Sequence, residues 1–272
     1  MSQPSELEAR KYEEIEFHNR LRDAATRADP HAYQALIANR KYYAVAHGSM
    51  EYYKEWLAEH CRGRNVLDFG CGDGEYSMFL LENGVGKLLG VDISDVSVEN
   101  CRRKAAEAGF ADRADFRVMD CEALALPDDT FDVVCEAGVL HHLHLERAIS
   151  EMARVVKPDG RVICYEAVGH NPLFQLYRNL TPELRTKYET HHILKVPQVK
   201  AMKRHFAQID LRFFHLAVLL AVPFRRLPGF GGLLAALEWV DRLLLKIPGV
   251  RQHAWMMIFE MSKKRATAAP PA

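Results

Sequence analysis

A short stretch near residue 70 constrains the fold of this chain more than any other part of it. Residues 66–74 read Val-Leu-Asp-Phe-Gly-Cys-Gly-Asp-Gly, an apolar strand pattern that runs into a glycine-rich turn and then a helical pattern. Glycine allows a tight turn and lets the backbone come close to a ligand. The amino terminus of the following helix offers unpaired N–H groups to an anion. The pattern predicts a ligand site where the first strand ends.

Short β-branched and leucine-rich runs alternate with helical patterns on the carboxyl side of this turn. The strand candidates are 65–68, 87–92, 115–119, 131–135 and 161–165. The helical candidates between them are 74–83, 94–109 and 144–156. Such alternation is typical of a parallel sheet with helices on both faces. We therefore predict an α/β, Rossmann-like fold.

The flanking regions have other patterns. Residues 5–29 are rich in Glu, Ala, Arg and Leu and stop at Asp29-Pro30, which predicts a helix. Further helices are predicted at 31–39, 49–60 and 197–207, an apolar segment near 210–216, and a last strand at 254–261. We divide the chain into a helical extension (1–60), a Rossmann-like core (61–168), a substrate-side cap segment (169–196), the completion of the sheet (197–262) with an apolar helical insertion at 217–250, and a disordered tail (263–272).

Acidic residues lie at the ends of the first three predicted strands. Asp68 precedes the first glycine and suits a ligand that carries an ammonium group. Asp92 lies eighteen residues beyond Gly74, where a carboxylate accepts hydrogen bonds from both ribose hydroxyls. Asp120 is placed to accept one from an adenine amino group. NAD-binding folds use the same ribose contact, but their G-x-G-x-x-G fingerprint needs glycine where this chain has Glu75.

Five segments together resemble successive motifs of class I S-adenosylmethionine-dependent methyltransferases. They are DFGCGDG, GVDIS, MDCEALALPDDTFDVV, LHHL and RVVKPDGRV, in the order and spacing of the family within residues 60–167. The sequence is most similar to the type 11 group, which includes the ubiquinone and menaquinone C-methyltransferases. The resemblance implies a seven-stranded sheet whose last strand is antiparallel. It also implies that S-adenosylmethionine lies over the carboxyl ends of the strands.

The resemblance further indicates which residues hold the cofactor. Asp68 and the glycine turn would hold its methionine part, Asp92 and Ile93 its ribose and adenine, and Asp120 with Cys121 the adenine edge. The full set of cofactor-binding candidates is Asp68, Gly70, Cys71, Gly72, Gly74, Asp92, Ile93, Asp120, Cys121, Glu136 and His141. No metal site is predicted, because the cysteines lack C-x-x-C spacing and no carboxylate shares a helical spacing with the histidines.

Catalytic candidates lie near the ends of the fourth and fifth strands. Since a sulfonium methyl group is already electrophilic, the protein mainly aligns the nucleophile and excludes water. A general base is needed only when the nucleophile must lose a proton. We assign Glu166, His141 and His170 as the catalytic candidates. For His141 and its neighbour His142, packing against the cofactor is an equally good interpretation.

Cations and histidines recur in the segment that follows the fifth strand. The substrate-binding candidates are His170, Arg178, Arg185, His191 and His192. The alternative for the two arginines is a solvated charge on a helix surface, which is the usual position of arginine.

The apolar insertion at 217–250 leaves three interpretations open. It packs as extra core on the sheet or on a second subunit, it forms an apolar lid, or it docks on a membrane with Arg225, Arg226 and Arg242 near the headgroups. The last two interpretations predict a lipophilic substrate. Together with the cations of the cap segment, they also suit an amphiphile with an anionic head, such as an isoprenyl diphosphate or a lipid.

Composition and motifs exclude other classes of function. Lys plus Arg equals Asp plus Glu, at 36 each, which disfavours a nucleic-acid partner. Residues 136–139 read Glu-Ala-Gly-Val where amino-group methyltransferases carry Asn/Asp-Pro-Pro-aromatic. We predict methyl transfer to carbon or oxygen of a lipophilic small metabolite in secondary metabolism. A non-catalytic cofactor-binding module is the alternative. The protein is expected to be cytoplasmic with reduced cysteines, and peripheral membrane contact and a homodimer stay open.

Overall fold

Seven strands build the sheet of this protein. The computed structural model describes residues 6–29, 33, 38–184, 186, 188–189 and 192–265. The strands are β1 (Asn65–Phe69), β2 (Lys87–Asp92), β3 (Ala114–Val118), β4 (Phe131–Ala137), β5 (Val156–Ala167), β6 (Phe206–Phe214) and β7 (Met256–Lys264). Their order is β3-β2-β1-β4-β5-β7-β6, and the last strand is antiparallel. The predicted Rossmann-like methyltransferase sheet is confirmed.

Helices connect and flank these strands. The α-helices that lie wholly within the described residues include α1 (Glu6–Arg22), α2 (Ala24–Ala28), α3 (His47–Cys61), α4 (Glu75–Glu82), α5 (Asp95–Glu107), α6 (Leu145–Val155), α7 (Pro172–Leu180), α8 (Val196–Ala201), α9 (Phe230–Leu244) and α10 (Pro248–Arg251). The 3-10 helices are Ala38–Val45, Leu140–His142, Pro182–Leu184, Met202–Arg204 and Ala217–Phe224.

The pairing of the central strands explains why acidic side chains collect at one edge. β1 pairs in parallel with β2 and with β4, β2 with β3, and β4 with β5. Val66 and Leu67 of β1 are fully buried, as expected for a central parallel strand covered on both faces. In the register, Asp68 stands opposite Gly90 on one side and Cys135 on the other. The carboxyl ends of these strands therefore meet at one edge of the sheet.

Several predicted boundaries were wrong, each for a local reason. The helix predicted at 5–29 is broken at Asp23, whose carboxylate accepts a 3.0 Å hydrogen bond from Thr26 N and caps α2. β5 begins at Val156 and not at residue 161. The predicted Pro-Gly turn lies within the strand, where it forms an irregularity in the pairing with β4. α8 ends at Ala201, and β6 starts at Phe206. The predicted helix at 31–39 falls mostly outside the described residues.

The chain forms two compact units, which are described separately below. Unit 1 comprises Met1–Tyr53, Ala167–Lys195 and Arg212–Ile258. Unit 2 comprises Lys54–Glu166, Val196–Leu211 and Phe259–Ala272. Unit 2 contains the glycine turn and most of the central strands.

Within unit 1 the apolar insertion builds a small core of its own. The core consists of Val45, Val218, Ala221 and Val222, and Tyr42, Leu219, Phe230, Leu234, Leu237 and Trp255 pack against it. The buried carboxylate of Asp241 in α9 accepts hydrogen bonds from the N–H groups of Leu216, Ala217 and Val218 at 2.5–3.4 Å. Asp241 thus satisfies the first amides of the 3-10 helix and ties it to α9.

Another part of the insertion faces solvent. Its large apolar side chains that are more than a third exposed are Leu220, Phe224, Leu227, Leu233, Trp239, Leu243 and Ile247. Within the described part of the chain, no helix combines the length and the apolar character needed to cross a bilayer.

Candidate active site

The glycine turn after β1 has the backbone that its sequence predicts. Gly70, Gly72 and Gly74 have φ angles of 77°, 53° and 79°, in the left-handed region that favours glycine. The N–H groups of Gly70 and Cys71 both donate to Val91 O at 2.9 Å, which joins the turn to β2. A Cβ atom on Gly70 would lie 2.5 Å from the Val139 side chain. Side chains are therefore excluded from the point where the backbone bends.

Asp68 is a buried carboxyl beside this turn. Its Oδ2 accepts a 2.5 Å hydrogen bond from the hydroxyl group of Ser77. The pKa of Asp68 is raised to about 6, mainly by burial. The hydrogen bond from Ser77 acts in the opposite direction, and the charge of Asp92 raises the pKa further. Ser77 was missed in the sequence, although its position three residues beyond Gly74 places it in the first turn of α4. A cationic group next to Asp68 would offset the cost of burying the charge.

Asp92 at the end of β2 connects the turn to the next helix. Its Oδ2 accepts from Gly72 N, and its Oδ1 accepts from Ser94 N, both at 2.9 Å. These two bonds orient the carboxylate. Each of its oxygen atoms retains further acceptor capacity, so the group can also bind a pair of hydroxyls.

The third strand contributes the predicted adenine contacts. Asp120 is partly exposed, and its Oδ1 accepts from Glu122 N at 2.9 Å. Cys121 is buried directly after it. Ile93 is half-buried directly after Asp92. In unit 2 the end of β2 is thus bonded to both neighbours, since Asp92 accepts from Gly72 N of the glycine turn and its carbonyl oxygen accepts from Met119 N at the end of β3 at 2.9 Å.

A second cluster lies at the ends of β4 and β5. Glu166 is fully buried, its Oε1 accepts from Leu140 N at 2.6 Å, and its Oε2 lies 2.7 Å from His141 Nδ1. Glu136 is also fully buried, and its Oε1 accepts from Val139 N at 2.5 Å. Sequence analysis singled out all three side chains, but not their contacts with one another.

The two glutamates have opposite protonation preferences. Burial, followed by the charge of Glu166, raises the pKa of Glu136 well above its ordinary value. Burial alone would raise the pKa of Glu166. The charge and the hydrogen bond of His141 outweigh this effect, so the pKa of Glu166 lies below its ordinary value. An ionised Glu166 accepts the Nδ1 proton of the neutral His141 ring, so the basic nitrogen of the ring is Nε2. The His141 ring centroid lies 4.3 Å from that of His142.

The arginine candidates for substrate binding belong to unit 1. Nη2 of Arg178 donates to the Glu189 carboxylate at 3.0 Å and to Glu189 O at 2.8 Å. Both side chains are 13% exposed, so this is a largely buried ion pair rather than a solvated charge. The role of Arg178 in substrate binding stays a prediction. Arg185 and His191 lie outside the described residues.

The remaining histidine candidates also lie in unit 1. His170 is partly buried, and burial, followed by the charges of Lys195 and His253, lowers its pKa. His192 is exposed and stacks on the ring of Tyr188 at a centroid distance of 3.7 Å. The catalytic and substrate-binding roles of His170 and His192 stay predictions.

Comparison with known proteins identifies the central region. Residues 67–164 match the family described as "Methyltransferase domain". The sequence is 34% identical over 122 residues to the demethylmenaquinone methyltransferase of Symbiobacterium thermophilum, covering 43% of this chain and 49% of that protein. It is 36% identical over 107 residues to the ubiquinone/menaquinone biosynthesis C-methyltransferase UbiE of Geobacter sulfurreducens, covering 38% and 42%. The chain thus spans about half the length of the curated relatives it matches.

The fold is also found in solved structures. Geranyl diphosphate C-methyltransferase from Streptomyces coelicolor aligns with a TM-score of 0.60 and 15% identity, covering 96% of this chain and 100% of that one. At this identity the likeness concerns the fold. Together with the glycine turn and the acidic strand ends, these matches show that the chain carries, over residues 67–164, a class I methyltransferase domain of the type 11 group.

Proposed function

We propose that this protein is an S-adenosylmethionine-dependent methyltransferase that transfers the methyl group to carbon or oxygen of a lipophilic small metabolite. One observation carries the proposal: the contact of the buried Glu166 carboxylate with His141, which provides a base within the methyltransferase domain unit. The family match and the relatives named for quinone methylation support the reaction class. An isoprenyl diphosphate or lipid with an anionic head is the alternative substrate.

The residues at the strand ends fit the cofactor. The carboxylate of Asp68 suits its ammonium group, and the glycine turn admits backbone close to its methionine part. The oriented carboxylate of Asp92 suits its ribose hydroxyls, and Asp120 suits its adenine amino group. When bound, S-adenosylmethionine supplies an electrophilic methyl group.

The Glu166–His141 pair accepts the proton that the methyl acceptor loses. The acceptor oxygen or carbon would take the methyl group from the sulfonium, whose sulfur keeps the electron pair of the broken bond, and would pass its proton to Nε2 of His141. Glu166 holds Nδ1 and stabilises the resulting imidazolium, so it acts as a positioning residue. General base catalysis of this kind contributes about 10²–10⁴-fold to the rate.

Turnover with labelled methyl donor tests the proposal directly. Purified protein is incubated with labelled S-adenosylmethionine and a panel of quinones, polyketides, isoprenyl diphosphates and lipids, and products are identified by mass spectrometry. Methylation of a lipophile supports the proposal, and methylation of a diphosphate selects the alternative. Tight cofactor binding without transfer to any compound would indicate the non-catalytic module instead.

The affinity for S-adenosylhomocysteine is expected to depend on pH through Asp68. Because its pKa is about 6 in the ligand-free protein, Asp68 is charged at pH 7 and becomes protonated below pH 6. Only the charged form pairs with the ligand ammonium, so affinity should fall by up to about tenfold for each pH unit below 6. Isothermal titration calorimetry between pH 5 and 8 measures this change. Asp68→Asn should bind more weakly, with a flatter pH profile. An unchanged slope in that variant would contradict the assignment.

We further propose that the insertion of unit 1 contacts anionic lipid. In α9, Ala236, Trp239 and Leu243 recur at spacings of three and four residues and are exposed, so they share one solvent-facing side. Arg242 is exposed on the flank of the same face. Over residues 217–251 the cations are Arg225, Arg226, Arg242, Lys246 and Arg251, against Glu238 and the buried Asp241. An apolar face with a basic margin is typical of a helix that lies on a negatively charged membrane.

Replacing Trp239 with glutamate should reduce binding to phosphatidylglycerol vesicles by about tenfold or more, because the indole is 58% exposed and interfacial tryptophan favours the headgroup region. Vesicle co-sedimentation at low salt measures this binding. Val118→Glu, at a residue 51% exposed in β3, is the matched control and should bind like the wild type. Equal binding of the wild-type protein to neutral phosphatidylcholine, or an equal loss in both variants, would contradict the proposal. The cytoplasmic location and a homodimer stay predictions.

A further inference from the structure

We propose that Glu136 is a positioning residue for His141. Its carboxyl group donates a hydrogen bond to Glu166, so the two glutamates together carry a single negative charge. This charge lies on Glu166, which holds the histidine. This inference rests on the proposed function, in which His141 is the base. It assigns to Glu136 a role other than cofactor binding.

Strand register places the two glutamates side by side. Glu136 pairs with Cys164 in the β4–β5 ladder, and Glu166 follows two residues later on β5. Both side chains are fully buried. The N–H group of Leu140 donates to Glu166 Oε1 at 2.6 Å and points to Glu136 Oε1 at 3.3 Å. The two carboxyl groups therefore converge on one backbone amide.

The N–H group of Leu140 is within hydrogen-bond distance of both Oε1 atoms, so the two carboxyl groups are close neighbours in a fully buried site. Two charged carboxylates there would repel each other strongly. A direct hydrogen bond between them needs a proton on one of them, because a carboxylate has no donor. The pair therefore holds one proton and one negative charge.

The surroundings decide which glutamate holds the proton. Glu166 faces His141 and His142, and an ionised carboxylate is stabilised there. Glu136 lies near Glu166 and near the thiols of Cys121 and Cys164, and Cys164 is its partner in the β4–β5 register. Burial raises the pKa of each of these thiols well above its ordinary value, so they are neutral and supply no cation. The proton therefore resides on Glu136, and the charge resides on Glu166.

This arrangement has a direct effect on the histidine. The hydrogen bond from Glu136 and the amide of Leu140 hold the Glu166 carboxylate from one side, which directs its Oε2 to Nδ1 of His141 at 2.7 Å. The Nδ1–H tautomer is thereby selected. The bond from Glu136 also withdraws charge from Glu166, so the base is weaker, and titrates at lower pH, than it would beside an unshared carboxylate.

The test is a pH titration of the full-length protein labelled with ¹⁵N-histidine, monitored by NMR. The spectra report the tautomer of His141 and the midpoint of its protonation, and no substrate is needed. Glu136→Gln keeps a neutral donor and should leave the midpoint within about 0.3 pH unit of the wild type, with Nδ1 protonated. Glu136→Met keeps the volume but removes the donor, and should raise the midpoint. Glu166→Gln removes the charge and should lower the midpoint by about one pH unit or more.

Two outcomes would overturn the inference. A midpoint lowered by Glu136→Gln as much as by Glu166→Gln would mean that Glu136 is itself ionised. An unchanged midpoint and tautomer in Glu136→Met would mean that Glu136 only fills space. Glu122→Gln is the control, since Glu122 is a buried carboxylate of the same unit that accepts from His144 N at 2.7 Å, and it should leave the His141 signal unchanged.

The design separates this inference from the proposed function. If Glu166→Gln does not move the His141 midpoint, the Glu166–His141 pair fails, and the proposed base fails with it. If that variant behaves as expected and no methyl acceptor is found, the proton-sharing assignment of Glu136 stands independently. Thermal unfolding of each variant confirms that it is folded, and Glu136→Leu, which also lacks a donor, replaces Glu136→Met should that variant not fold.

Discussion

Glu166→Gln is expected to slow methyl transfer by about 10²–10⁴-fold, with the affinity for S-adenosylhomocysteine changed by no more than about threefold. In the wild type the two carboxylate oxygens accept from Leu140 N and from His141 Nδ1. An amide has one acceptor oxygen. If that oxygen stays on the Leu140 amide, the NH₂ group faces Nδ1 and selects the opposite tautomer, with the proton on the nitrogen needed as the base.

Single-turnover kinetics with labelled S-adenosylmethionine measure this loss apart from product release. His141→Asn should show a loss of similar size, and the double variant should be no slower than the slower single variant, because the two residues act as one unit. Glu122→Gln is the control, because it also replaces a buried glutamate with glutamine. Losses that multiply in the double variant would show that the two side chains act independently.

Asp92→Ala is expected to weaken the binding of S-adenosylhomocysteine by about 30–1,000-fold, which corresponds to about 2–4 kcal/mol for hydrogen bonds to a charged acceptor. The substitution removes the proposed ribose contact. It also removes the acceptor for Gly72 N and Ser94 N, both 2.9 Å from the carboxylate, so the glycine turn loses one of its connections to the end of β2.

Calorimetric titration of folded protein measures the effect, and Asp92→Asn should give an intermediate value because it keeps one acceptor. The control is Asp95→Asn, at an exposed residue at the start of α5 whose carboxylate accepts a local bond from Val96 N. It should bind the ligand like the wild type. Equal affinity of Asp92→Ala and the wild type would remove Asp92 from the cofactor site.

The site near the glycine turn was predictable because its chemistry depends on short spacings. A strand followed by closely spaced glycines can bend in few ways, and the positive φ angles of Gly70, Gly72 and Gly74 follow from that. The limits of β2 at Lys87 and Asp92 agree with the prediction, since β-branched and leucine residues there are bounded by polar ones. Parallel pairing then brings Asp68 and Asp92 to the same edge.

Interactions between distant residues were not predictable in the same way. The environment of Arg178 was set by an ion pair with Glu189, eleven residues away. The insertion was recognisable as apolar, but its division between a small core and an exposed face depends on how α9 packs in unit 1.

The sequence by itself determined the alternation of strands and helices in the domain and the residues of the glycine turn, because both depend on local periodicity and spacing, and the resemblance of its motifs to class I methyltransferases indicated the rest of the sheet. Only the tertiary structure decided how Glu136, Glu166 and His141 interact. Their contacts span 25 and more residues and depend on the register between β4 and β5, which brings both carboxyl groups to the amide of Leu140. Their protonation follows from burial, which is a property of the packed sheet and not of the residues alone.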